Sequence, residues 1–404
     1  MESCPDVGRD FAQRAVALHS GREGFFPSGW TVDGVPGLVT MGEYEWAESR
    51  AKEGAAQKAK HPQLPLTMVA EPAAGHFAST RAKIDIIGLY LRKALAARLP
   101  PKVASGGIVT LRPIDTAVTG WLYEPWRKNK PPSFAPGPVG GTSPYQGDRA
   151  HAFWAFDQEL AEAIRALGDR YRARSVQLLG YVQAGKVVPQ VNGTHQQVTL
   201  SWLPEEDGIS FRLHGDFLDS VPPGRPEKWT GLLAGSPIGH AARPSDIVIE
   251  RICGPVRSKG PDRFCLAFGR EGMDNPYRSN EIWFVARHPG DALYQPAEQQ
   301  AVMRLPLRNT EGADQRIEFP AIADRLSDAS PFELKATSNS GLPVGYYVLA
   351  GPAEVDGDVL RLTALPPRAT MPMKVTVVAW QWGRSTEPKL KTAEPVTRSF
   401  WIRR

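Results

Sequence analysis

No stretch of the chain approaches the ~18 consecutive apolar residues that a bilayer crossing needs, so no membrane span is expected. The start, Met1-Glu-Ser-Cys-Pro-Asp-Val-Gly, lacks the basic and apolar regions of a secretory signal; as written, the chain carries no export address and reads as cytoplasmic. Charge of one sign is never gathered into runs. The 48 Lys and Arg interleave with 43 Asp and Glu for a net +5, which argues against a nucleic-acid partner. Cysteine is scarce: Cys4, Cys253 and Cys265 cannot all pair, and only the last two are near enough for a local bridge. Free buried thiols are the plainer expectation. The eight histidines form no HxH or HExxH spacing and there is no Cys-x-x-Cys, so a zinc site lacks support. The sequence requires no cofactor. The acidic turns Glu205-Glu-Asp-Gly208 and Glu354-Val-Asp-Gly-Asp358 are the candidates for calcium, with ordinary hairpin turns as the blander reading.

What is present suffices for burial. At 404 residues with 42 % hydrophobic and 23 % charged residues, the chain is too long for one core and balanced enough to fold. The expected division is an α/β section over 1–100, a linker or irregular region with one helix over 101–190, an antiparallel β-domain over 191–310 and a β-sandwich over 315–404.

The first section has a strand–loop–helix rhythm. Arg14–His19 is an apolar strand ending in Ser20-Gly21, Val35–Met41 a second ending in Gly42, and Leu64–Ala70 a third leading into Glu71-Pro-Ala-Ala-Gly-His-Phe77. From about Ser79 to Arg98 the residues Ile84, Ile87, Leu91 and Leu95 predict one apolar helical face, and Pro100-Pro101 ends the helix. Lys130–Gly141 is too rich in Pro and Gly for regular structure, and a helix is expected from about Phe156 to Arg174. Packing of this region against the first section is the expected arrangement. Beyond Gln196, short alternating runs such as Val198–Trp202, Phe264–Phe268 and Ile282–Ala286 predict antiparallel strands. From Gln315 the same grammar tightens to six or seven strands in about ninety residues, including Gly345–Leu349, Met373–Trp380 and Arg398–Ile402.

The order strand-Ser-Gly, strand-Gly-Glu-Tyr-Glu, strand-loop-Gly-His-Phe and closing helix resembles the last third of the α/β-hydrolase family. The resemblance implies that Glu45, three residues past Gly42, is the acid of a triad and that His76 is its general base, with Glu43 as a rival acid. A histidine at a strand's C-terminal end can reach a nucleophile, while a carboxylate on its other ring nitrogen fixes the tautomer and stabilises the imidazolium. Surface placement of the Gly-His pair and a solvated Gly-Glu-x-Glu turn are the competing readings.

The family's Gly-x-Ser-x-Gly elbow is absent from all 404 residues, as is an oxyanion His-Gly-Gly run. Ser3 lacks the strand and glycines of an elbow. Ser20 is the other serine at a strand's end near the expected site. An N-terminally truncated chain would explain both the missing elbow and the missing signal.

The last section, through Ala336–Val344, Gly351-Pro-Ala-Glu and Val375–Gln381, resembles the immunoglobulin-like modules of bacterial secreted and surface proteins, which implies a secreted or periplasmic parent. Asn192-Gly-Thr194 reads as a turn before it reads as a glycosylation acceptor. Most of the eleven tryptophans are expected in cores, with stacking on polysaccharide as the functional alternative. The sequence therefore predicts a multidomain protein: a partial α/β-hydrolase-like section, an all-β sandwich domain and an immunoglobulin-like β-sandwich. The implied activity is hydrolysis of a small carboxylic ester or lactone; the alternative is a non-catalytic extracellular protein that binds carbohydrate or another surface.

Overall fold

The computed structural model describes residues 17–19, 33–45, 48–76, 80–100, 109–124, 139–142, 144–191, 198–274, 280–365 and 368–404. Ser3, Cys4, Ser20 and the Asn192-Gly-Thr194 sequence lie outside them. The chain divides into two units, built from Met1–Leu178, Asp219–Ala241 and Pro289–Glu298 and from Leu179–Leu218, Ala242–His288 and Gln299–Arg404.

In the first unit β1 (Ala17–His19), β2 (Gly37–Gly42) and β3 (Leu66–Glu71) form a parallel sheet in that order, with Leu38 beside Leu18 on one flank and Thr67 on the other. All six residues of β3 are buried, which is why it reads as a nearly unbroken apolar run. The crossover from β2 to β3 is α1 (Glu48–Lys60), a helix the hydrophobic pattern does not announce because Ala, Lys and Glu dominate it.

After β3 comes α2 (Arg81–Arg98), started by Thr80, whose hydroxyl accepts from Lys83 N–H at 3.3 Å. Its buried face differs from the expected one. Lys83, Ile86, Tyr90, Ala94 and Arg98 point inward, whereas Ile84 and Leu95 are 50 % and 44 % exposed. The inward stripe is set by Tyr90, whose ring meets Phe156 edge-on at 5.3 Å, and by Lys83, whose ammonium lies 3.2 Å from the buried Glu71 carboxylate. A pattern count that treats Lys as polar misses a face on which the charge is paired.

The region expected to be irregular has order of its own. Short strands β4 (Trp121–Tyr123), β5 (Val139–Gly141) and β6 (Phe153–Ala155) make an antiparallel sheet in the order β5-β4-β6, and α3 (Gln158–Asp169) starts on the Asp157 cap. Three-residue strands far apart in sequence carry too little alternation to be read from it. The packing is the expected one. Tyr123 hydroxyl accepts from Met68 N–H at 2.9 Å and donates to Met68 C=O at 2.7 Å, and Thr67 hydroxyl donates to Trp154 C=O at 2.7 Å. Leu38, Leu66, Met68, Tyr90, Tyr123, Phe153 and Leu160 share one core.

Among the described residues the second unit is built of strands apart from the short 3-10 turn Pro244–Asp246, and the strand Ala297–Arg304 enters it from Gln299 onward. Val248–Cys253, Glu281–His288, Ala297–Arg304 and Val198–Leu200 make a four-stranded sheet, and Ser210–Arg212, Arg263–Leu266 and Val256–Ser258 a three-stranded one. Phe211, Phe264 and Phe284 pack together at 5.1–6.0 Å between ring centres. Beyond them, Arg325–Leu326, Val396–Arg403, Met373–Trp380 and Gly345–Ala350 form one sheet, and Phe332–Glu333, Val359–Leu362 and Ala353–Asp356 another. Val375, Val377, Ala379 and Phe400 of the first share a core with Ala353 and Leu360 of the second, so these residues make a β-sandwich. The protein is thus multidomain and β-rich.

Cys265 is a buried free thiol. The acidic turn at 205–208 is taken up by arginine: Glu205 accepts from Arg263 Nε at 2.9 Å and Nη2 at 2.6 Å, while Asp207 accepts from the turn's own amides. Glu354 accepts from Arg361 at 2.7 Å. Among the described residues no group of three or more His, Cys, Asp or Glu is placed to hold a metal ion, and no helix is long and apolar enough to cross a membrane. Trp154, Trp229, Trp380 and Trp382 are buried, whereas Trp401 is 41 % exposed.

Candidate functional site

Parallel pairing places the C-terminal ends of β2 and β3 side by side, with Gly42 opposite Glu71. The turn Glu43–Glu45 after β2 and the loop Pro72–His76 after β3 therefore emerge at one sheet edge. The two segments are in close contact. A Cβ built on Gly42 would collide with the carbonyl oxygens of Ala74 and Gly75, so only glycine lets them approach this far. Tyr44 N–H donates to Ala74 C=O at 3.0 Å across the same gap.

His76 Nδ1 lies 2.5 Å from Glu45 Oε2. A carboxylate only accepts, so Nδ1–H is the donor of this hydrogen bond. The imidazole is about a third exposed, at 34 %, and the Glu45 side chain much less so, at 14 %. The pair is thus an imidazole held by a largely buried carboxylate.

Glu43 is two residues away on the same turn and does a different job. It is buried, and its Oε2 accepts from Ala73 N–H at 2.6 Å. Ala73 has φ of +56°, a left-handed conformation that costs a residue with a Cβ of the order of 1–3 kcal/mol and persists only where the surroundings hold it. A third carboxylate completes the arrangement: Glu298 Oε2 accepts from Gly75 N–H at 3.0 Å. Tyr44, between Glu43 and Glu45 in sequence, is fully buried under Trp229, with ring centres 4.6 Å apart and Trp229 Nε1 donating to Tyr44 C=O at 3.0 Å. Burial holds the Tyr44 hydroxyl well above its usual pKa, and the charges of Glu43 and Glu298 push the same way. Glu71, at the end of β3, accepts from the Thr80 hydroxyl and pairs with Lys83, tying the far end of the loop to the start of α2.

Of the residues singled out from sequence, His76 and Glu45 meet, Glu43 supports the histidine loop, and Ser20 lies outside the described residues. Sequence reading misses Glu298 and Trp229. Glu298 sits in Ala-Glu-Gln-Gln on a strand with its first seven residues buried, and Trp229 on the short α4 (Arg225–Thr230); neither has a local motif connecting it to His76.

No family model matches the chain, and no curated protein matches it. Among solved structures it is similar to human protocadherin-24 EC1-2, at 12 % identity over 50 % of this chain and 93 % of that one, with a TM-score of 0.18. Drosophila N-cadherin EC1-4 gives 11 % identity over 76 % and 64 %, with a TM-score of 0.17. Likeness of that order transfers neither the fold nor the function of those proteins to this chain.

Proposed function

We propose that the first unit carries the general-base half of an α/β-hydrolase-type site and that the protein hydrolyses a small carboxylic ester or lactone. The observation that supports this reading is the 2.5 Å pairing of His76 with Glu45 at the shared C-terminal edge of a parallel sheet. In the reaction, His76 Nε2 removes the proton from an oxygen nucleophile as that oxygen bonds to the acyl carbon. The imidazolium, stabilised by Glu45, then returns the proton to the alcohol oxygen as the acyl C–O bond breaks. The nucleophile is a water, or a serine hydroxyl whose acyl ester a water then cleaves with the same two proton transfers, releasing the acid; Ser20 is the serine candidate that sequence offers.

A second reading is favoured by the extent of β-structure: the described regular elements of the second unit are almost entirely strands, and Trp401 is exposed on the strand Val396–Arg403. On that reading the protein is a non-catalytic binder of carbohydrate or another surface, its tryptophan stacking on a sugar face. One experiment separates the two. Turnover of short acyl esters and lactones is measured for the full chain and for His76→Ala, alongside retention on immobilised polysaccharide. The hydrolase reading expects kcat to fall by roughly 10²–10⁴ on losing the base. Absence of turnover in the unaltered protein, with binding that His76→Ala leaves intact, supports the alternative.

A further inference from the structure

We infer that Glu298 is a positioning residue for His76, fixing from a distant part of the chain the backbone of the loop that presents the imidazole. The inference deepens the hydrolase reading and rests on it only for its kinetic consequence. The loop Pro72–His76 is short, and three carboxylates take hold of successive parts of it: Glu43 at Ala73 N–H, Glu298 at Gly75 N–H and Glu45 at the His76 ring. Glu43 and Glu45 are local, both belonging to the turn beside the loop. Glu298 belongs to the strand Ala297–Arg304 and stands 223 residues from its partner.

Gly75 is the residue of this loop with the widest conformational choice, and it directly precedes His76. Pinning its amide therefore sets the direction in which the next Cα–Cβ bond leaves the chain. Glu45 can orient the ring only if that direction is already correct. The residue type at 298 points the same way. Glu298 is 8 % exposed on a strand whose Ala301, Val302 and Met303 are fully buried and apolar. A carboxylate at such a place is costly unless hydrogen bonds compensate it, so an aliphatic side chain would serve packing better. A charge-assisted bond to a backbone amide is about twice as strong as a neutral one, which suits the holding of a loop already strained at Ala73.

The test is amide hydrogen exchange of the loop in the full chain, read by mass spectrometry for unaltered protein, Glu298→Gln and Glu298→Ala. Gln keeps an oxygen acceptor for Gly75 N–H, and Ala removes it. In Glu298→Ala, exchange in the loop peptide should rise roughly tenfold to a hundredfold, the consequence of losing one bond to a charged acceptor. Glu298→Gln should show a smaller rise, and the strand Met373–Trp380 no change. In ester turnover, Glu298→Ala should lower kcat by roughly 10²-fold with KM little altered, as expected when a base is displaced by about 1 Å. Loop exchange in Glu298→Ala equal to that of unaltered protein, or a rise spread evenly over the chain, overturns the inference. If Glu298→Ala does not fold, Gly75 exchange in unaltered protein decides: slow exchange supports the bond, and exchange at the rate of open loops refutes it. The exchange result stands whether or not turnover is found, so failure here and failure of the hydrolase reading are told apart.

Discussion

At the scale of single residues, a buried side chain can be read from what it is bonded to. Lys58 is an instance away from the dyad. It donates to Ala152 C=O, its ammonium lies 5.2 Å from the centre of the Phe153 ring, and burial pushes its pKa down to about 8. Because that value lies below the 10.5 of a free lysine, the folded protein binds fewer protons than the unfolded chain between about pH 8 and 10.5. The destabilisation from Lys58 is therefore complete below pH 8 and relieved as pH rises through that window. Melting curves of unaltered protein and Lys58→Met at pH 7 and pH 9.5 should show the difference shifting toward the unaltered protein at the higher pH. A difference that stays constant would mean the ammonium is solvated. The same reasoning separates Glu43 from Glu45, two carboxylates on one turn. One is bonded to a ring nitrogen of His76, and the other to the amide of Ala73, which stands at positive φ.

Elements make the contrast between pattern and packing testable. On α2, Tyr90→Ala should cost about 3–5 kcal/mol, the range for truncating a fully buried aromatic, while Leu95→Ala should change stability by less than about 0.5 kcal/mol. Lys83→Met should be as damaging as Tyr90→Ala, since it leaves Glu71 as a buried carboxylate with its ion pair broken. Denaturant midpoints of the three variants check this, and a larger effect at Leu95 than at Tyr90 would restore the face that hydrophobic spacing suggests.

The legibility of such elements in the sequence depends on their chemistry. The strands β2 and β3 and the long strand Met373–Trp380 are plain in sequence because burial on both faces, or strict alternation, leaves a strong apolar signal. Helix α2 is legible in extent and not in orientation, because its inward face contains a paired lysine. Helix α1 and the three-residue strands β4 to β6 are nearly invisible, the first for want of an apolar stripe and the others for want of length. His76 and Glu45 stand out through the order of strands and loops around them. Glu298 does not, since nothing within its own segment records a partner 223 residues away.

On the scale of the whole molecule, buried tyrosines among the described residues set a limit at alkaline pH. Burial raises Tyr44, Tyr90, Tyr123 and Tyr181 above the ordinary value of 10. Above pH 10 the unfolded chain releases these phenolic protons while the folded protein keeps them, so the stability they contribute is present below pH 10 and lost as pH rises further. Tyrosinate absorbance should rise in more than one stage, with Tyr44, Tyr90, Tyr123 and Tyr181 ionising only together with loss of the folded circular dichroism signal. A single stage near pH 10 in protein that remains folded would contradict this burial.

The same first unit holds the contact on which the proposed function depends, the 2.5 Å pairing of His76 Nδ1 with Glu45. Low-field proton NMR of the histidine ring observes it directly. The account predicts a slowly exchanging, strongly deshielded Nδ1–H signal that disappears in both His76→Ala and Glu45→Ala while the protein stays folded. A spectrum without that signal, or one in which it survives Glu45→Ala, would contradict the pairing and the catalytic reading built on it.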